Sequence, residues 1–223
     1  MIKITGDINK LRDEIDAIDK KIIDLILKRM DIVHQVGLTK SKSKTRIYVP
    51  EREVAIYKKL SSCSNLSSKE IQSFYTEIIS VCRKLEDTLN VGINRDIFSL
   101  LGVKKIFGEY VNPIFFNTLN EIDLSSIHYI LLKFSKEMID FLLKNNWYII
   151  NKIDVEEETL YLFSFYKNEI LNYDDIIVFL YKDILSEDHI KIENNLFINF
   201  LSRKQTEKLK NLDINIIGFI PNI

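Results

Sequence analysis

Cysteine is nearly absent from this chain. Two thiols, Cys63 and Cys82, among 223 residues exclude a disulfide framework. The opening stretch MIKITGDINK lacks the apolar core of a secretory leader. The longest apolar runs, such as IIVFLY at 176–181, are far too short to span a bilayer. A reducing cytoplasm, away from membranes, is the expected location. Net charge is also almost missing, −1 at pH 7, so no global attraction draws the chain to nucleic acid or an anionic surface. No internal repeat interrupts the sequence.

What is present is unevenly distributed. Hydrophobic residues make up 46%, enough for a packed core. Residues 1–90 carry 17 basic against 13 acidic side chains, and the remainder 14 against 19. Of the 24 aromatic residues, 4 precede residue 91. This shift predicts two units, 1–90 and 91–223.

In the first unit Leu11, Ile15, Ile18, Ile22, Leu25, Ile32 and Val36 recur at helical steps. They predict one helix over roughly 8–40. At about 1.5 Å per residue it approaches 50 Å, longer than a monomer of this size covers, so a partner chain is expected along the seam. Arg29 and Lys40 fall on that seam. They are eleven residues apart, about 20° from three full turns and about 16 Å along the axis, so both project from one face. Arg12 lies about 100° off the line. Either the two cations meet an anion or their stems carry the charge out to solvent. The segment TKSKSKTR (39–46) reads as a solvated loop between helices rather than a nucleic-acid patch.

A second helix is expected at VPEREVAIYKKL (49–60). Pro50 suits its first turn, and Glu51 and Glu53 suit its positive N-terminus, whereas Arg52 opposes that dipole. Ser67 and Glu70 form a capping box that opens a third helix with the seam Ile71, Tyr75, Ile78, Cys82, Leu85, Leu89. Glu86 shares the side of Cys82.

These residues resemble the all-helical class of chorismate mutases over 7–90. LRDEIDAIDKKIIDLILKR (11–29) is similar to the family's first-helix signature and VGLTK (36–40) to its V-G-x-x-K. RIYVPERE (46–53) resembles its I-Y-[DV]-P-x-R-E, and EIISVCRKLE (77–86) its I-[IM]-S-x-[SC]-x-x-[LQ]-[EQ]. The resemblance implies three helices in an intertwined dimer that converts chorismate to prephenate by a one-step Claisen rearrangement, with no cofactor and no metal. It also implies the roles. Arg12, supplied by the other protomer, Arg29 and Arg52 clamp the substrate carboxylates. Lys40 and Glu86 donate to the breaking ether oxygen. Glu53 accepts from the ring hydroxyl beside the Val49 backbone, and Cys82 stands where many members place a supporting Ser. Two positions depart from the common pattern. Val49 replaces an Asp, and Glu86 replaces a Gln and so can donate only when protonated.

Beyond residue 90, short apolar segments at 112–117, 127–134, 147–153, 159–165, 175–181 and 196–201 predict strands. Helical stretches are expected at 135–146 and 202–212. Together they predict a smaller α/β or α+β domain. It resembles a prephenate dehydratase followed by a regulatory ligand-binding domain, but shortened. The dehydratase G-P-x-G-[ST]-[FY]-S is reduced to Phe98 and Ser99. Its Thr-Arg-Phe is matched by Thr159-Leu160-Tyr161, without the Arg. KIENN (191–195) keeps Glu193, and IIGFIPN (216–222) keeps Gly218 and Pro221 of the last strand. His128, His189 and Trp147 read as structural. A non-catalytic remnant is expected. The alternatives are a bifunctional mutase–dehydratase and a non-catalytic regulatory module.

Overall fold

The computed structural model describes residues 7–40, 46–85, 88–168, 175–182, 184–193, 196–206 and 215–221. A helical region comes first: α1 (Ile8–Lys40), α2 (Pro50–Ser62) and α3 (Ser68–Arg83). The caps follow from the sequence. Pro50 opens α2 behind Val49, and at Ser67 and Glu70 both arms of the capping box form.

A strand-rich region follows. In chain order it contains β1 (Asn90–Asn94), α4 (Ile97–Phe107), β2 (Asn112–Phe116), β3 (Tyr129–Leu132), α5 (Lys136–Asn145), β4 (Tyr148–Val155) and β5 (Glu158–Ser164). Then come β6 (Ile176–Tyr181), β7 (His189–Glu193), β8 (Leu196–Ser202), α6 (Arg203–Thr206) and β9 (Asn215–Ile220). Among the described residues nine strands form one mixed sheet in the order β2-β1-β3-β5-β4-β9-β6-β8-β7. This region spans more of the chain than the helical one, so the expected smaller C-terminal unit is instead the larger.

Strand alternation sorts the side chains onto two faces. Tyr129 and Leu131 of β3, Ile150 of β4, and Leu160 and Leu162 of β5 pack against Val103, Ile106 and Phe107 of α4. Their neighbours Ile130, Leu132, Ile149, Tyr161 and Phe163 pack against Met138, Ile139 and Leu142 of α5. Tyr48, from the segment just before α2, is 3% exposed and belongs to the α4-side core. The two regions therefore share a packed junction.

The sheet has one weak seam. Strands β4 and β9 run parallel through a single registered pair, Ile149 and Gly218. A Cβ on Gly218 would lie 2.2 Å from the Ile149 carbonyl oxygen, so only glycine allows the approach. The buried Asn168 amide staples the seam, donating to the carbonyls of Ile150 (2.7 Å) and Phe219 (3.0 Å). Gly218→Ala is expected to cost about 2–3 kcal/mol through overpacking. For a chain of this length that lowers Tm by roughly 4–12 °C in a thermal melt. An unshifted midpoint would show that the seam carries no stability.

One helix face is left open within the chain, and the expectation for another needs correction. In α1 the residues half-buried within the chain are Ile26, Arg29, Met30, Val33 and Gly37, a stripe that meets the seam read in the sequence only at Arg29. The seam itself is bare: Leu11, Ile15, Ile18, Ile22, Leu25 and Ile32 are 44–63% exposed. Periodicity found the apolar line, but that line is not what α3 covers. In α3 the buried stripe is Ile71, Thr76, Ile79, Ser80, Cys82 and Arg83, and the helix ends at Arg83. Tyr75 and Ile78 are half-buried, and Leu85, beyond the helix, is exposed. Polar Ser80 and Arg83 point inward because a second surface, the end of α4, meets α3 there: the backbone N–H of Tyr110 donates to Ser80 Oγ at 2.9 Å.

Three elements were absent from the sequence reading: β1, α4 and β7. The helix expected at 202–212 is seen as α6, and residues 207–214 lie outside the described part.

Candidate active site

A cavity of about 220 Å³ opens between the three N-terminal helices. From α1 it takes Arg29, Val33 and Val36, and from the turn before α2 it takes Ile47 and Val49. Arg52, Glu53 and Ile56 of α2 and Ile79, Cys82 and Arg83 of α3 complete the wall. The helical repeat explains the selection. Steps of three or four bring Arg29, Val33 and Val36 to one side of α1, while Arg52, Glu53 and Ile56 share the first turns of α2.

Of the site residues expected from the sequence, Arg29, Val49, Arg52, Glu53 and Cys82 line this cavity. Lys40 closes α1, but its side chain lies outside the described part of the protein, as does all of Glu86. Arg12 is exposed, and seventeen residues of helix put it about 25 Å from Arg29 along the axis. It cannot reach the same cavity within one chain.

The polar groups of the cavity are unevenly satisfied. Arg29 Nη1 is buried without a hydrogen-bond partner among the described residues. A buried cationic donor left unpaired is costly, and an anion placed there would relieve it. Glu53 is well paired by comparison. Its Oε1 accepts from Arg83, and its Oε2 accepts from the Tyr57 hydroxyl at 3.1 Å. Burial pushes the Glu53 carboxyl above its ordinary range, while Arg83 chiefly, then Tyr57 and Arg29, pull it back. Burial likewise raises the Tyr48 and Tyr57 hydroxyls, with the Glu53 charge adding to both. The site thus gathers the cations Arg29, Arg52 and Arg83, the buried Glu53 carboxylate and an apolar lining of Val33, Val36 and Ile79. Such a cleft suits a small, partly apolar dianion.

Sequence reasoning missed Arg83 and Tyr57. Tyr57 lies four residues after Glu53, a spacing that could have signalled the contact. Arg83 lay off the assumed seam of α3, and nothing in the sequence around it distinguished it from a solvated arginine.

In the strand-rich region, the positions matched to dehydratase motifs do structural work. Ser99 is buried and donates both its backbone N–H and its hydroxyl to the Asp96 carboxylate that caps α4. Thr159 donates to Asp154 Oδ1 across the β4–β5 hairpin, and Leu160 is wholly buried in the α4-side core. His128 Nδ1 accepts from the Asn90 backbone, His189 sits against the Ser186 carbonyl, and Trp147 packs between Phe141 and Phe165. Among the described residues no cluster of His, Cys, Asp and Glu is placed to hold a metal ion, and no helix is long and apolar enough to cross a membrane.

Comparison with known proteins bears on the helical region. Residues 11–87 match the family model described as chorismate mutase type II. A bifunctional chorismate mutase/prephenate dehydratase of Aquifex aeolicus is 34% identical over 91 residues, 38% of this chain and 25% of that protein. A protein of the same description from Stutzerimonas stutzeri is 32% identical over 110 residues, 45% of this chain and 30% of its own length. A T-protein of Enterobacter agglomerans is 43% identical over 53 residues, 24% of this chain and 14% of its own length. The chain thus spans less than a third of the length of each of these relatives. No solved structure matches it. Over residues 11–87, about a third of its length, this chain is similar to chorismate mutase type II.

Proposed function

We propose that the chain rearranges chorismate to prephenate in aromatic amino acid biosynthesis, in the cytoplasm and as a homodimer. The observation that carries this reading is the unpaired, buried Arg29 Nη1 in a cavity that also holds Arg52 and Glu53. Arg29 and Arg52 each fit a substrate carboxylate, for which the planar guanidinium offers a bidentate fork. Glu53 keeps lone pairs open beyond its bonds to Arg83 and Tyr57 and accepts from the ring hydroxyl. The backbone at Val49 supports that contact, and Cys82 contributes a small, buried wall near a carboxylate. Lys40 and Glu86 donate to the ether oxygen, where negative charge develops as the bond breaks. One well-placed donor of this kind contributes about 3 kcal/mol to a transition state. Holding the folded conformer adds an entropic part. No cofactor or metal enters this chemistry.

The bare apolar seam of α1 supports a second copy lying along it, and the distance of Arg12 from Arg29 supports Arg12 serving the partner's cavity. Residues 1–90 then form the three-helix catalytic unit. Residues 91–223 form a shortened, non-catalytic relative of the dehydratase and regulatory domains. Leu160 favours this over a bifunctional enzyme, since its buried position has no room for the missing Arg.

The direct test follows chorismate loss by absorbance with the purified chain, and an absence of turnover in acidic and neutral buffers would end the proposal. Phenylpyruvate release from prephenate would restore the bifunctional reading. Glu86 supplies a sharper prediction. Its donation requires the protonated acid, so activity is expected to fall as pH rises through its titration, and Glu86→Gln is expected to flatten that limb. An identical pH profile in the variant would remove Glu86 from the ether oxygen.

A further inference from the structure

Glu53 is held in a way that the reaction alone does not require. Arg83, 4% exposed, donates from Nη2 to Glu53 Oε1 and from Nη1 to the Phe107 carbonyl at 3.2 Å. Phe107 is the last residue of α4, and Gly108 follows it with φ +75°. A Cβ on Gly108 would also lie 2.6 Å from Ser80 Cβ. The direction of the Phe107 carbonyl is therefore set by a backbone conformation that favours glycine, pressed against α3. The guanidinium also lies over two rings, Tyr48 at 5.4 Å and Phe107 at 5.8 Å.

Tyr48 carries a second tie to the strand-rich region. Its backbone N–H donates to the Tyr129 hydroxyl at 3.2 Å, and the same hydroxyl donates to the Tyr48 carbonyl at 3.0 Å. Its own hydroxyl accepts from Asn151 at 2.8 Å. Val49, next in the chain, caps α2 and lines the cavity.

We propose that Arg83 is a positioning residue that ties the acidic wall of the cavity to the strand-rich region, one arm of its guanidinium holding Glu53 and the other the end of α4. This rests on the reading of the cavity as a chorismate site. It gives residues 91–223 a task without any ligand of their own: they hold the carboxylate that receives the ring hydroxyl. A lysine has no fork to span both partners, and a neutral side chain leaves a buried carboxylate without its main counter-charge.

The charged and titratable groups facing Glu53 among the described residues are Arg83 from α3, Tyr57 on α2, Tyr48 before α2 and Arg29 from α1. Of these, Arg83 contributes most to keeping Glu53 ionised. The sign follows. Glu53 works as the anion, so its function is lost as pH falls through its titration, and loss of Arg83 moves that loss to higher pH.

The test measures steady-state kinetics on the full chain, with circular dichroism to confirm folding. Arg83→Met is expected to raise KM for chorismate about tenfold, in line with one charge-assisted hydrogen bond, and to move the acid limb of kcat/KM to higher pH. Arg83→Lys is expected to keep the acid limb near that of the unaltered chain and still raise KM. A purely structural role would lower the active fraction with KM and the acid limb unmoved. That pattern in a folded Arg83→Met chain would overturn the proposal. Should Arg83→Met fail to fold, Arg83→Lys decides: KM within twofold of the unaltered chain overturns it, and a larger rise supports it. An unaltered chain inactive on chorismate would overturn the reading of the cavity itself, and this proposal with it.

Discussion

Arg29→Ala is expected to lower kcat/KM for chorismate by roughly a thousandfold while leaving the fold intact. Removing one partner of a buried charge pair commonly costs about 2–5 kcal/mol, and about 4 corresponds to that factor. The free chain should tolerate the change. Arg29 Nη1 has no hydrogen-bond partner to lose among the described residues, so at that atom truncation deletes an unsatisfied donor, and what the free chain loses is the weaker pull of Arg29 on Glu53. The stem lies half-buried beside Val33, so a small packing loss remains. Thermal melting with kinetics on the same sample separates the two effects. Activity within tenfold of the unaltered chain would mean that Arg29 does not hold a substrate carboxylate. A collapse of the melting transition would mean that Arg29 is structural.

The sequence announced some elements clearly because a local physical rule governs them. The 33 residues of α1 show an unbroken helical period without glycine or proline until Gly37, and the helix runs from Ile8 to Lys40. Ser67 and Glu70 cap α3 through contacts three residues apart, which any sequence reading can see. The six strands expected after residue 90 appear as β2 to β6 and β8, each within three residues of the expected start. The final strand at Gly218 appears as β9.

What stayed hidden depends on distant parts of the chain. Helix α4, IFSLLGVKKIF, is largely apolar, and a short buried helix of that kind cannot be told from a strand by periodicity. Strand β1 contains only five residues with a glycine in the middle. In β7, HIKIE alternates strictly but is only five residues long, and among the described residues it pairs with β8. The inward turn of Ser80 and Arg83 is set by α4, more than twenty residues on, so no window along α3 reveals it. The same limit applies to the cavity. Its cations could be placed on a face from spacing alone, but the partners of Glu53 required the junction between the two regions.

Mixing two dead variants is expected to restore activity. Arg12→Ala and Arg29→Ala should each be inactive alone if every cavity needs Arg29 from its own chain and Arg12 from the partner. In a twofold dimer the same surface serves both copies, so a mixed dimer pairs the intact Arg29 of one chain with the intact Arg12 of the other at one cavity, while the second cavity lacks both. With random exchange half of the dimers are mixed, so recovery should approach about a quarter of the unaltered activity per chain. The physical basis is the bare seam of α1. Ile15, Ile18, Ile22 and Leu25 are each 47–63% exposed, and burying the remainder of each is worth about 1 kcal/mol or somewhat more. An apolar patch of this kind is unusual on a monomer. Exchange requires subunit dissociation, so the two variants should be combined by co-expression or by unfolding and refolding as a mixture. Replacing Ile18 and Leu25 by Asp should abolish both the dimer, read by sedimentation, and the recovery. Two inactive variants that stay inactive after refolding together, with dimers present, would place Arg12 outside the partner's cavity. An active monomer would remove the partner from the mechanism altogether.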